Sequence, residues 1–586
     1  MTTRNAALAL AIGAWGCLVV ATLVAAVGPV AIDTIDLSIS GPSRLIVSAA
    51  CLLALAAWLT GPRALLDVLA SSPAPYVATA VLAMAIVACA LLANGAVSVG
   101  GADSAGYLAQ ADRWLRGDVR TPAPLAIADL PDAVARQAGL GFRPDPSGTA
   151  IVPSYPPGLP WIQAAVLGVG GEPAAIRGVP LLAALGALLG IWLLARAYLH
   201  PASAALVTVV LASLPPFLFQ ALQPMSDVPA LAAWLLALAL APRAGVAAAT
   251  GSAIATFVAI LIRPNLAPLA AAVCWQAHAL TTTARHRGTR VMVIAASAGA
   301  ALAVVASVQW ALYGSPLQSG YGRAGELFST AHVGPNLRLY AAWLHEAVSL
   351  PSAAVLIAGL AGLAIGAIHR PGVRPLLLAV GFTIACYLVY VPFDSWTYLR
   401  FVLVALAIAP IGAAIAIERG AVAWPAIWRF PLVAACTLVL VAANLQHAKA
   451  LGVFDLRARE YRYEAAGRFL RADVPGDAVI VAAQHSTSAP YYSGRALLRA
   501  DLLDEPGFAR VAAWATAQGR PLVFVLDTAE ADAFQERLGT MALAALDWPP
   551  RAEIGRPVAT RIWVSTDRAA HVAGSPVRTT RVTVVP

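Results

Sequence analysis

Charge is scarce in this 586-residue chain. Only 12% of residues are Asp, Glu, Lys or Arg, while 60% are hydrophobic; an ordinary soluble domain carries roughly 25% charge. With a mean hydropathy of +0.74, a soluble globular protein is excluded. Lysine is nearly missing too, Lys449 being the single one. The formal net charge of +9 comes with no basic run and no basic helix face, which argues against a nucleic-acid partner. The six cysteines, Cys17, Cys51, Cys89, Cys274, Cys386 and Cys436, lie in apolar runs without CxxC spacing and read as small hydrophobes. No GxxxxGK loop or GxGxxG turn stands at a strand-to-helix junction, so neither ATP nor a dinucleotide is indicated.

What charge there is lies unevenly. Residues 447–586 hold 32 of the 69 charges, so residues 1–446 read as a lipid-solvated domain and 447–586 as a domain folded in water. A bilayer core about 30 Å thick needs about 20 apolar residues per helix. On that measure thirteen spans are expected, near 6–28, 45–60, 76–98, 177–198, 202–222, 227–241, 245–262, 264–282, 291–312, 351–368, 374–391, 401–417 and 429–446. The first is long, and Gly28-Pro29 is a poor cleavage site, so it reads as an anchor.

Arginine placement orients these spans. With the N-terminus in the cytoplasm, Arg4, Arg63, Arg196, Arg243, Arg285, Arg287, Arg290, Arg370, Arg374, Arg419 and Arg429 fall inside, whereas the short outer loops hold only Arg44, Arg263 and Arg400. The long loops 99–176 and 313–350 and the C-terminal region then face outward. Thirteen of the fifteen acidic residues in the membrane part fall on that side, all but Asp67 and Glu418. Chemistry without nucleotides on that face needs an activated substrate already in the membrane.

The first outer loop opens with Asp103-Ser-Ala-Gly-Tyr107, and Tyr107, Leu108, Ala111, Trp114 and Leu115 recur at helical spacing. Asp103 therefore sits at the head of an interfacial amphipathic helix, either as its N-cap or as a functional carboxylate. The loop closes with Tyr155-Pro156-Pro157-Gly158, a rigid turn that either walls a lipid-facing cleft or merely leads into the next helix. Asp227, in Ser226-Asp227-Val-Pro229, lies at a depth where an ionisable group is costly, and it too could be a helix cap. Arg263, in Arg263-Pro264-Asn265, and Arg400, after Tyr398-Leu399, either clamp a phosphate or snorkel at the membrane edge.

From about 455 the pattern becomes α/β. A helix is expected at 458–471, strands at 478–482 and 521–526, a helix at 528–538, and strands near 560–565 and 578–585. His485 has no nucleophile or base beside it in the pattern and reads as structural. The Tyr491-Tyr492-Ser-Gly494-Arg495 segment could reach an active site.

Together the Asp103-Ser-x-x-Tyr107 run, the Tyr155-Pro-Pro-Gly158 turn, Ser226-Asp227-x-Pro229, Arg263-Pro264-Asn265 and the aromatic-Leu-Arg400 motif resemble the GT-C membrane glycosyltransferases. Within them the chain resembles the protein O-mannosyltransferase and lipid A aminoarabinose transferase group, families 39 and 83. The resemblance covers about 99–446. It implies an all-α polytopic membrane protein with a GT-C fold of about 13 transmembrane helices, here followed by a C-terminal soluble α/β domain. It implies a glycosyltransferase of the bacterial cytoplasmic membrane, with the donor a polyprenyl-phosphate sugar and the acceptor a glycan, lipid or protein. Asp103 and Asp227 become the candidate catalytic carboxylates, and the candidate ligands of any divalent metal. Arg263 and Arg400 become the donor-phosphate residues, with Tyr107, Tyr155, Pro157 and Tyr398 lining the cleft. Two departures stand out: the acidic loop follows the third expected span rather than the first, and Ser104 replaces the second acid of the mannosyltransferases' adjacent pair. A polytopic transporter and a non-catalytic subunit of envelope polysaccharide assembly are the competing classes.

Overall fold

The structure is a computed structural model and describes residues 2–27, 30–32, 37–39, 41–128, 130–281, 284–420, 426–555 and 558–583. Gly28-Pro29 lie outside the described residues, as do the last residues of the strand expected at 578–585.

The apolar runs form helices at all thirteen expected positions. Among the described residues nine are long and apolar enough to cross a bilayer, or ten if a bent pair forms one span. Three more, Asp227–Leu240, Val246–Ile262 and Leu269–Leu280, are apolar but shorter. The bent pair, Pro201–Ser213 and Pro215–Ala221, turns by 62°. Its cause is local: Leu214 precedes a proline, which disfavours helical backbone, and it sits extended at φ −64° and ψ 121°. The second arm of the bend ends at Ala221, and Asp227 opens the next helix, Asp227–Leu240.

The fourth span needs a correction. Helix begins at Gly158 rather than near 177, so the loop 99–176 is shorter than expected, and the apolar stretch runs to Ala195 over 38 residues. At about 1.5 Å per residue that is nearly twice the hydrocarbon thickness. Gly171, at φ 72° and ψ −176°, breaks the axis, so Gly158–Pro173 packs against Asp103–Arg116 while the following helix joins the bundle. Three helices of crossing length, Thr3–Val27, Pro42–Thr60 and Ala74–Asn94, precede Asp103.

Between Arg116 and Gly158 lies an antiparallel three-stranded sheet in the order Thr121–Pro122, Ala150–Pro153, Phe142–Pro144. The 313–350 loop contains a short hairpin, Gln318–Ser319 with Gly322–Arg323, and the amphipathic helix Val333–Ala347. The C-terminal region builds a mixed six-stranded sheet. Its order is Thr580–Val582, Ala552–Ile554, Thr560–Val564, Leu522–Asp527, Val479–Ala482, Ala496–Arg499. Every residue of two adjacent interior strands, Leu522–Asp527 and Val479–Ala482, is buried, as expected of a sheet covered on both faces. The strands Ala496–Arg499 and Ala552–Ile554 and the helix Glu505–Ala517 were not anticipated, the first two being only four and three residues long. All six cysteines are free.

Candidate active site

Asp103 is the first residue of the helix Asp103–Arg116, but its carboxylate does not cap that helix. Instead Arg400 Nη2 donates to Oδ2 at 2.8 Å and the Tyr155 hydroxyl to Oδ1 at 2.8 Å. Burial acts to raise the Asp103 pKa, yet the Arg400 charge and the two hydrogen bonds outweigh it and hold the carboxyl below its usual range. Tyr155 is buried, and burial together with the Asp103 charge pushes its phenol well above normal, so it remains a proton donor to Asp103. Of the two roles open to Asp103, the capping one is not realised.

Asp227 behaves alike. It begins the helix Asp227–Leu240, where Ser226, the N-cap residue, makes no capping bond. Arg263 Nη2 pairs with Asp227 Oδ1 at 2.5 Å and also reaches Ser226 Oγ at 3.2 Å. Asp227's side chain is fully buried, and its Oδ2 has no hydrogen-bond partner among the described residues.

The two ion pairs form one cluster. Tyr107 donates to Ser226 Oγ at 2.9 Å and stacks on Tyr155 at 4.2 Å between centroids, which links the Asp103 side to the Asp227 side. The Phe401 ring lies 5.4 Å from the Arg263 guanidinium and 5.3 Å from that of Arg400, and the Tyr398 ring 4.9 Å from Arg400. Such contacts favour a cation in a poorly hydrated site. Among the anticipated residues, Asp103, Asp227, Arg263, Arg400, Tyr107, Tyr155 and Tyr398 are thus brought together. Pro157 stands apart from the charged pairs: with Tyr155 and Tyr321 it lines a void of about 20 Å³ beneath the Gln318–Arg323 hairpin.

Three contributors were not anticipated. Tyr387, on the apolar helix Arg374–Leu388, accepts from Arg263 Nη1 at 3.0 Å and from Asn265 Nδ2 at 2.9 Å. Its signal in the sequence was a tyrosine inside an apolar span. Tyr321, on the hairpin, approaches the Tyr155 ring at 6.0 Å. Glu460, from the C-terminal region, reaches the Asp103 turn, and no local pattern marks it.

Gly158 shows why the Tyr155-Pro-Pro-Gly158 turn carries glycine. A Cβ there would stand 2.4 Å from the backbone of Leu261 and Ile262, directly before Arg263. Backbone cannot yield as a side chain can. Gly158→Ala should therefore cost about 1–3 kcal/mol of stability and displace Arg263; a thermal melt in detergent checks it, and an unchanged midpoint would show that the two helices separate freely.

The donor set does not fit a divalent cation. Each carboxylate is taken by a guanidinium, and no group of three His, Cys, Asp or Glu residues able to hold a metal occurs among the described residues.

This constellation stands on a known fold. Residues 154–310 match the family of dolichyl-phosphate-mannose-protein mannosyltransferases. Among solved structures, ArnT from Cupriavidus metallidurans bound to undecaprenyl phosphate aligns with a TM-score of 0.51 at 14% identity, over 82% of this chain and 97% of that chain. Its apo state gives 0.50 at 15%, over the same shares. The oligosaccharyltransferase AglB from Archaeoglobus fulgidus gives 0.47 at 13%, over 77% and 69%. No curated protein matches by sequence. The chain is a multi-pass membrane protein with the GT-C fold, and the particular fold it shares is that of ArnT.

Proposed function

We propose that this chain is a glycosyltransferase that moves a sugar from a polyprenyl-phosphate donor to a nucleophilic acceptor at the outer face of a bacterial cytoplasmic membrane. The observation that carries this reading is the pairing of two carboxylates with two guanidiniums in one cluster, Asp103 with Arg400 and Asp227 with Arg263. The undecaprenyl phosphate bound by ArnT supports the donor class, and the arginine asymmetry of the loops supports the orientation. In this reading residues 1–446 are the membrane domain and 447–586 an extracytoplasmic one.

The chemistry follows from the charges. The donor phosphate competes with Asp103 for Arg400 and with Asp227 for Arg263, because a doubly bonded phosphate–arginine contact is at least as strong as a single carboxylate one. Losing Arg400 raises the basicity of Asp103, so donor binding itself arms the base. An acceptor hydroxyl then attacks the anomeric carbon and its proton passes to Asp103. The bond from that carbon to the phosphate oxygen breaks, and polyprenyl phosphate leaves with the electron pair, stabilised by the guanidiniums. Tyr107, Tyr155 and Tyr398 supply hydroxyl and ring contacts around the sugar.

The test supplies the purified protein with undecaprenyl-phosphate-linked hexoses and pentoses, together with an envelope glycan and lipid extract, and measures release of undecaprenyl phosphate. Arg400→Ala is expected to raise the donor KM at least tenfold. Release from none of these donors would overturn the reading; so would uptake of free sugar into vesicles without donor consumption.

A further inference from the structure

The Asp103 carboxylate must meet Arg400 and Tyr155 at once, yet the turn that leads to it, Val99-Gly100-Gly101-Ala102, has no polar side chain of its own and contains Gly101 at φ 60°. Its anchors come from the C-terminal region. The Tyr492 hydroxyl accepts from Val99 N–H at 2.9 Å. Tyr463 lays its ring against Gly100 so closely that a Cβ there would stand 1.9 Å from it. The Gly100 N–H donates to Ser104 Oγ at 3.1 Å and also faces the Glu460 carboxylate, which stands 3.4 Å from Ser104 Oγ; the Ser104 hydroxyl in turn lies 2.6 Å from the Gly100 carbonyl.

Those anchors are themselves fixed to the sheet. Arg462 donates to the Tyr463 hydroxyl at 2.8 Å and to Asp527 Oδ2 at 2.8 Å. Asp527 Oδ1 accepts from Thr560 at 2.7 Å and lies 3.2 Å from Nε2 of the buried His485, whose ring lies 4.4 Å from that of Tyr463. Hydrogen bonds from the C-terminal sheet to Tyr463 and the contact of its ring with Gly100 thus tie the sheet to the turn before Asp103.

We propose that Glu460 is a positioning residue for the glycosyl transfer, fixing the Gly100–Ser104 turn and through it the Asp103 carboxylate, so that the C-terminal region completes the active site. A turn with two glycines samples many conformers, and an ångström of misplacement at a reacting group costs up to about a hundredfold in rate. Burial pushes the Glu460 carboxyl up to about 7, against the lowering effect of Arg462 and of the Ser104 and Gly100 hydrogen bonds. Arg462 and Tyr463 come from its own helix; the turn presents the Ser104 hydroxyl and the Gly100 N–H. As a carboxylate Glu460 can only accept, whereas the protonated acid can donate to the Ser104 hydroxyl oxygen, whose own proton is directed at the Gly100 carbonyl at 2.6 Å. Because the clamped, buried position is what raises the carboxyl, the clamp is tightest below about pH 7 and loosens as pH rises through it.

The kinetic half of the test rests on the transferase reading; the structural half does not. In the full-length protein in nanodiscs, Glu460→Leu should lower kcat for undecaprenyl phosphate release roughly 10- to 100-fold with the donor KM unchanged. Glu460→Gln, which mimics the protonated acid, should show at pH 8 the rate the wild type shows below pH 7, with the limb near pH 7 gone. Amide hydrogen exchange, with no substrate present, should report loss of protection over residues 99–104 in Glu460→Leu. Wild-type protection there overturns the clamp whatever the kinetics, and so does a retained limb in Glu460→Gln. Release of polyprenyl phosphate from no donor removes the transferase reading and leaves the exchange result to decide the clamp.

Discussion

Replacing Asp103 with asparagine is expected to cut turnover by about 10²- to 10⁴-fold, the range a positioned general base supplies, while leaving donor affinity equal or higher. The reasons lie in the two hydrogen bonds. Asp103 accepts from Tyr155 on one oxygen and from Arg400 on the other; an asparagine has one carbonyl oxygen, so one donor is left facing an amide N–H. If the oxygen stays with Tyr155, Arg400 is freed for phosphate, which is why affinity for undecaprenyl phosphate should not fall. A structural role alone would move both quantities the same way. The folded-state pKa of Asp103 is depressed, so the stability its ion pair contributes is present above the ordinary carboxylate range and lost as pH falls through the folded value. Thermal midpoints of the wild type should therefore drop more steeply on acidification than those of Asp103→Asn. Turnover within threefold of wild type in Asp103→Asn would remove Asp103 from the chemistry.

How far the site could be read from the sequence depended on where its chemistry is written. Asp103, Asp227, Arg263 and Arg400 were legible because a charge beside an apolar run is expensive, so each stood out against the 12% background of charge. Their partners were less so. Nothing local says that Arg400 meets Asp103, nearly 300 positions earlier, or that Ser226 serves Arg263 rather than its own helix. Tyr387 is invisible to a hydropathy reading because a tyrosine inside a span passes as apolar surface. The helices were found through length and polarity, but the early start at Gly158 was not: an apolar stretch broken by one glycine at positive φ reads the same whether it lies along the interface or crosses it. In the C-terminal region the buried strands Val479–Ala482 and Leu522–Asp527 announced themselves by continuous β-branched and aromatic runs. The short strand Ala496–Arg499, with Ala-Leu-Leu-Arg, carries helix formers that only pairing with Val479–Ala482 turns into a strand.

The largest effect on the fold is expected at the other ion pair. Asp227 and Arg263 are side chains with 0% and 12% exposure, and removing one partner leaves a buried, uncompensated charge, which costs about 3–5 kcal/mol. Asp227→Asn should therefore lower the melting midpoint in detergent by several degrees, more than any exposed-pair substitution such as Asp112→Asn beside Arg116, where about 1 kcal/mol or less is at stake. The same reasoning predicts a rescue. Asp227→Leu combined with Arg263→Met removes both charges and keeps the volume, and a hydrophobic pair of that kind is often as stable as the ion pair it replaces. The double variant should regain most of the lost stability and yet release no undecaprenyl phosphate from a lipid-linked sugar, because Arg263 Nε and Asp227 Oδ2, both without a partner among the described residues, are groups a bound donor would use. A double variant that is both stable and active would make the pair a packing device, leaving Asp103 and Arg400 to carry the reaction alone. Stable and inactive assigns to the site the desolvation that burying this pair costs the resting protein.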